Sequence, residues 1–177
     1  MAGSLVKIDE EIVTSAVASV TLTGIDSTYD VYMVKVNNLT HDHSTGSSIN
    51  IRFTKDVSGT PTPITSANYQ RALKELRADQ AFSNIYVSVN ATAIFTSDVG
   101  DLSTEQGNLL LYLFNFNNAS EYSFITHESA ALNSDANLRG RMGGASLNIA
   151  EAHNGMEIYF SAGNVTTGTF TLYGLKK

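Results

Sequence analysis

The chain has 177 residues, enough for one ordinary domain with a buried core, and no run of about eighteen apolar residues that would suit a membrane span. Its 17 acidic and 11 basic side chains leave a formal charge of −6 with no basic stripe, which argues against nucleic acid as a partner. The absence of cysteine removes disulfides, thiolate metal sites and cysteine nucleophiles together.

The opening MAGSLVKIDEE lacks the apolar stretch of a secretory signal, which fits cytoplasmic synthesis. Leu5, Val6 and Ile8 in it are expected to rest on the body or on a neighbouring subunit. From there apolar residues recur at every second position, the pattern of half-buried strands. Val20 and Leu22 alternate with Ser19, Thr21 and Thr23 until Gly24 stops the run. Asp30 to Val36, DVYMVKV, is apolar on both parities and belongs in the middle of a sheet. Ile49, Ile51 and Phe53 point one way, with Asn50, Arg52 and Thr54 pointing the other. Between 67 and 78 the spacing of Tyr69, Ala72, Leu73 and Leu76 among Gln, Arg, Lys, Glu and Ala predicts one short inserted helix. Its Arg71, Lys74 and Arg77 would form a solvated face.

Ile85, Val87 and Val89 begin the next strand, and LLLYLFNF at 109 to 116 is the most apolar one. Tyr122 and Phe124, Ser146 to Ile149, Met156 to Phe160 and Thr169 to Leu175 complete the series. Turn signals at SGTPTP, FNNAS, HNG and SAGNVTTG separate these runs. The sum is an all-β, antiparallel β-sandwich, one domain over 1–177, with a helix near 67–78. The charged fraction of 16%, below the usual value of about 25%, suits strand-rich surfaces and also surfaces that pack against copies of themselves.

Several constellations could carry chemistry. His41-Asp42-His43 would place two imidazoles on one face of a strand, in reach of a metal, but the flanks read as a loop tip without a third ligand. His127-Glu128 and His153 are isolated, and no serine sits in a G-x-S-x-G elbow. Asp98, Asp101 and Glu105 in SDVGDLSTEQG do not have EF-hand spacing and read as a polar turn, the alternative being a calcium site assembled from several loops. Arg139, Arg141, Gly143 and Gly144 in RGRMGGAS lack the strand-then-helix context of a phosphate loop. Tyr112, Phe114 and Phe116 are expected in the core, which leaves Tyr29 and Tyr122 as loop aromatics able to stack on a sugar. No catalytic residue, metal ligand or cofactor site is assigned.

The C-terminal MEIYFSAGNVTTGTFTLYGLKK, residues 156 to 177, resembles the ending of many virion structural proteins of tailed bacteriophages: an apolar strand, a Ser-x-Gly-Asn turn, then Gly-Thr-Phe-x-Leu-Tyr-Gly. GIDSTYDVYMVKVNNL at 24 to 39 and LYLFNFNNASEYSF at 111 to 124 are similar to other parts of that family. The resemblance implies a jelly-roll-like sandwich located on the virion, packed against other capsid or tail proteins and often trimeric. Such proteins serve as head decorations, tail or fibre components, or receptor-binding tips. The family brings no catalytic motif. The expected function is a non-enzymatic virion structural protein at a head-decoration or fibre-base position; the alternative is a module that binds a host glycan or receptor. In the last strand Phe170 and Leu172 should enter the core, Thr169 and Thr171 should face outward, and Gly174 should admit a bend or a close neighbour.

Overall fold

Period-two alternation governs nearly the whole chain, and the computed structural model folds accordingly into strands. It describes residues 4–176, with Tyr86 and Val87 described for their backbone alone. The expected direction of Val87, the segment 1–3 and the exposure of residue 177 lie outside the described residues. Thirteen strands follow in order: β1 (Ser4–Val13), β2 (Ser19–Thr23), β3 (Val31–His41), β4 (Ser47–Val57), β5 (Thr60–Pro63), β6 (Tyr69–Arg77), β7 (Ser83–Ala91), β8 (Ile94–Val99), β9 (Gly107–Phe114), β10 (Ser123–Leu132), β11 (Leu138–Leu147), β12 (Gly155–Phe160) and β13 (Val165–Lys176).

They form two packed antiparallel sheets. The larger has eight strands in the order β1-β13-β3-β9-β10-β11-β6-β7. The smaller runs β2-β12-β4-β5, with β8 pairing the first half of β4 beside β5. The chain changes sheet at eight connections, β1–β2, β2–β3, β3–β4, β5–β6, β7–β8, β8–β9, β11–β12 and β12–β13, the traffic of a jelly-roll-like sandwich, whereas β9-β10-β11 is a simple meander.

Inward residues from both sheets merge into one core. Ile49, Ile51 and Phe53 of β4 face Leu111 and Leu113 of β9 and Phe170 and Leu172 of β13, all fully buried. Phe53 packs against Phe116, tilted by 50° with ring centroids 4.4 Å apart, and meets Tyr69 edge-on at 5.5 Å. The Tyr69 hydroxyl accepts from the Phe53 N–H at 2.9 Å and donates to the Ile64 carbonyl at 3.0 Å. β3 lies between β13 and β9, the central place that its two-sided apolar pattern foretold.

The segment 67–78 corrects the expectation of a helix: it is β6, paired with β11 on one side and β7 on the other. Tyr69, Leu73 and Glu75 are buried while Gln70, Ala72 and Lys74 are exposed, a period of two. Helix propensities differ by only a few tenths of a kcal/mol per residue among such side chains. Two strand ladders and the burial of Tyr69 and Glu75 outweigh them. The supposed solvated face dissolves with the helix. Only Lys74 is exposed; Arg71 donates to the Ala93 carbonyl at 3.1 Å and Arg77 pairs with Asp79.

At the other end, β13 begins at Val165, so Gly168 lies within a bulged strand rather than ending a turn. Thr171 is only 1% exposed, because it sits between β1 and β3, and its hydroxyl donates to Glu10 at 3.3 Å. Gly174 has the expected close neighbour: the Tyr29 ring occupies the space that a Cβ would need. β1 pairs along β13, and Ile8 packs against the core while Leu5 stays exposed.

Candidate functional site

The histidines separated in sequence acquire partners in space. Ser123, at the start of β10, lies 2.7 Å from Nδ1 of His153, and Nε2 of that ring lies 3.8 Å from Glu151 Oε1. The three residue types are those of a hydrolase triad, but the arrangement is different. A catalytic serine sits on Nε2 with the acid on Nδ1; here the two sides are exchanged and the acid is beyond hydrogen-bond reach. Ser123 and His153 are both at 0% exposure, enclosed by the Phe53 and Phe116 rings, so no substrate reaches the pair in this conformation. Burial pushes the His153 ring down to about 4. The pair ties the β9–β10 loop to the β11–β12 connection, since the Ser123 hydroxyl also reaches the Asn115 carbonyl at 3.2 Å.

His41 ends β3 with both ring nitrogens engaged. Nε2 faces the Val99 carbonyl at 3.1 Å, and Nδ1 accepts from the His43 N–H at 3.1 Å. Neither lone pair is left for a metal. Asp42 accepts from the backbone and side chain of Asn164, at 2.6 and 2.9 Å, and those hydrogen bonds hold its carboxyl below the usual range. Among the described residues no group of three metal-binding side chains converges.

The arginines of RGRMGGAS point inward. Arg139 donates to Glu75 at 3.0 Å, and Arg141 donates to Glu75 at 2.5 Å and to Asp98 at 2.7 Å. Arg77 clasps Asp79 with two bonds of 3.0 and 2.8 Å and lies 3.8 Å from Glu75. Three guanidiniums thus meet three carboxylates, Glu75, Asp79 and Asp98, which leaves no surplus charge for an anion. The cluster joins β6 and β11 of the larger sheet to β8 of the smaller one. Asp98 is therefore a network partner. Asp101 is exposed elsewhere, and the buried Glu105 accepts from the Leu102 N–H at 3.1 Å, so the acidic turn does not assemble into one site. Gly143 is required where it stands, because a Cβ there would strike the Ala72 carbonyl of β6. His127 lies inside the same end of the sandwich with neither ring nitrogen hydrogen-bonded, and burial with the nearby Arg141 charge pushes it down to about 4.

Two surfaces remain. The first is the outer face of the eight-stranded sheet. On β9, Leu109, Leu111 and Leu113 turn inward, so Leu110, Tyr112 and Phe114 turn outward. This corrects the expectation that the aromatics of LLLYLFNF are all core: Phe116 is, Phe114 is half-buried, and Tyr112 is 36% exposed. Phe124 of β10 and Met142 of β11 stand on the same face at 44% and 43% exposure. Ala72, Ala130, Gly140 and Gly144 lie between them, and these small residues leave shallow depressions between the large ones. One depression, of about 460 Å³, runs from Phe124 across Gly144 to Val89 of β7. Lys35, Glu128 and Lys74 are among the charges of this face, with Glu10 and Lys7 toward its β1 edge.

The second surface is a polar cleft of about 350 Å³ formed by the β2–β3 and β9–β10 loops, lined by Asp26, Tyr29, Asp30, Asn115, Asn117 and Asn118. Asp26 is held ionised by the Thr28 N–H at 2.7 Å and contacts the Tyr32 hydroxyl. Tyr29, one of the two sugar-stacking candidates, is in this cleft; Tyr122, exposed on the β9–β10 loop, does not line it. The sequence pattern missed the outer face because both parities of β9 are apolar; the alternation of β10, SFITHESAAL, carries the signal more clearly.

These features define an antiparallel β-sandwich with a buried ionic cluster, an apolar outer sheet face and a polar loop cleft. Comparison with protein-family models and with curated proteins found no match.

Proposed function

We propose that the protein is a non-enzymatic virion structural subunit of the tailed-bacteriophage type, seated on the particle as a head-decoration or fibre-base component. The observation that carries this reading is the outer face with Leu110, Tyr112, Phe124 and Met142. Soluble monomers rarely leave contiguous apolar patches beyond a few hundred Å² in water, and larger ones mark interaction sites. A flat, weakly charged strand face suits burial against a neighbouring subunit, and a stable contact removes about 1,000 Å² in total from water. The C-terminal resemblance to phage virion proteins supplies the kind of particle. Its test is fractionation of a lysate of producing cells on a density gradient, with an antibody against the chain. Co-migration with phage particles supports the reading; recovery only among free proteins overturns it.

The loop cleft favours a second reading, recognition of a host glycan on a tail fibre or tip. Carboxylates, amides and one tyrosine face converge there, the groups that hydrogen-bond and stack on a sugar. Saturable binding on a glycan array, lost in Asn117→Ala and Asp30→Ala, would establish it.

A further inference from the structure

The outer face of the eight-stranded sheet carries a row of side chains set by the register of five neighbouring strands. Lys35 of β3 pairs with Leu110 of β9, Leu110 with Glu128 of β10, Glu128 with Met142 of β11, and Met142 with Lys74 of β6. Directly paired residues point to the same side of a sheet, so these five stand in one line across the strands. Glu128 and Lys74 are exposed and stand two strands apart, about 10 Å, with Met142 between them. Among the described residues neither charge has an ion-pair partner within its own chain. Along β11 Met142 forms a single ridge, with Gly140 and Gly144 two residues to either side on the same face.

A face that meets its own copy must complement itself under a two-fold rotation. Rotation about an axis that runs along β11 through Met142 exchanges β10 with β6, the strands on either side of it. It sets Glu128 of each copy over Lys74 of the other, and Met142 against Met142. Phe124, 44% exposed, then comes over Gln70 of the other copy, beside the depression of about 460 Å³ that Ala72, Gly144 and Val89 border. We infer that this face packs against the same face of a second copy of the chain, so that two eight-stranded sheets meet with β11 at the centre. Stacked sheets lie about 10 Å apart with strands about 30° from parallel, a gap that a glutamate and a lysine bridge together. The five strands from β9 to β7 span about 24 Å and the run from Phe124 to Ala130 about 20 Å, a footprint of about 480 Å² per copy. Two copies then remove about 1,000 Å² from water, the amount a stable contact needs. The inference rests on the reading of this face as an interaction surface and adds the identity of what covers it.

Exchanging the charges tests the register as well as the contact. Light scattering of the unaltered protein at tens of micromolar should give twice the chain mass. Glu128→Lys places like charges at both ion-pair positions and should weaken the dimer at least about tenfold, with the melting temperature retained because the side chain is exposed. Lys74→Glu should do the same, and the double variant Glu128→Lys with Lys74→Glu should recover the dimer. The chain has no cysteine, so an introduced thiol is unique. Facing sheets are too far apart for a disulfide across the axis, so a short bis-maleimide is the reporter. It should link Met142→Cys into covalent dimers and leave Ser58→Cys, on the exposed β4–β5 turn, largely monomeric. A monomer at tens of micromolar, a double variant no tighter than the single ones, or Met142→Cys that links no faster than Ser58→Cys overturns the inference. A monomeric chain that still co-migrates with phage particles overturns it too, while the particle reading stands with another protein on this face. A dimer that passes the charge exchange but is recovered only among free proteins supports the inference and overturns the particle reading.

Discussion

Acid should weaken this fold well before its carboxylates titrate. His127 and His153 are buried and held neutral, each near 4 in the folded chain against 6.5 when exposed. Between those values the unfolded chain binds more protons than the folded one, so stability falls as pH falls. The stabilisation is complete above about pH 6.5 and is lost progressively toward pH 4. A gap of about 2.5 units corresponds to about 3 kcal/mol per ring at full titration, and about 2 kcal/mol of that is lost by pH 5. Two rings together lose about 4 kcal/mol, a large share of an ordinary stability of about 5–15 kcal/mol. For a chain of this size the melting temperature should drop by about 10 °C between pH 8 and pH 5. Thermal unfolding followed by circular dichroism at pH 8, 6 and 5 measures it. His127→Leu, which removes a ring with no hydrogen-bond partner, should reduce the pH dependence by about half. A melting temperature flat from pH 8 to 5, or a His127→Leu variant with the full dependence, would refute the argument. Asp26, Asp42 and Asp79 are held below the usual carboxylate range, so their contribution is lost only in stronger acid.

Glu75→Gln should cost about 3–5 kcal/mol in urea denaturation, because it leaves Arg139 and Arg141 buried with reduced compensation; a loss below about 1 kcal/mol would show that the cluster is not coupled as described. Gly174→Ala should cost about 1–3 kcal/mol, since the Tyr29 ring must move to admit the methyl group, and an unchanged urea midpoint would refute the close packing. Removing residues 1–9 strips the first half of β1 from the Leu172–Lys176 end of β13 and uncovers the core near Ile8, so both the urea midpoint and assembly should fall; equality with the full chain would show that half of β1 to be dispensable.

The sandwich was legible wherever one face of a strand is apolar and the other polar, as in Ile49-Ile51-Phe53 and Phe170-Leu172. It was illegible where burial is decided by partners distant in sequence. β6 has helix-forming residues, and only its pairing with β11 and β7 makes Glu75 an interior residue. Arg139 and Arg141 suggest an anion site as text, but 64 and 66 residues away Glu75 answers them. Ser123 and His153 are 30 residues apart and meet because the β9–β10 loop folds over the β11–β12 connection. The outer face was hidden for a different reason. When both parities are apolar, as in LLLYLF, alternation cannot say which side meets water, and only the smaller sheet's position decides it. The loop cleft needs two connections brought together by the β3–β9 pairing, which no local pattern announces.

The account turns on whether the outer face of the larger sheet is covered in the working assembly. An electron-microscopic reconstruction of native particles that contain the chain tests this most directly. The prediction is density from a neighbouring subunit against Tyr112, Phe124 and Met142. A particle that leaves those three side chains facing bulk solvent would contradict it.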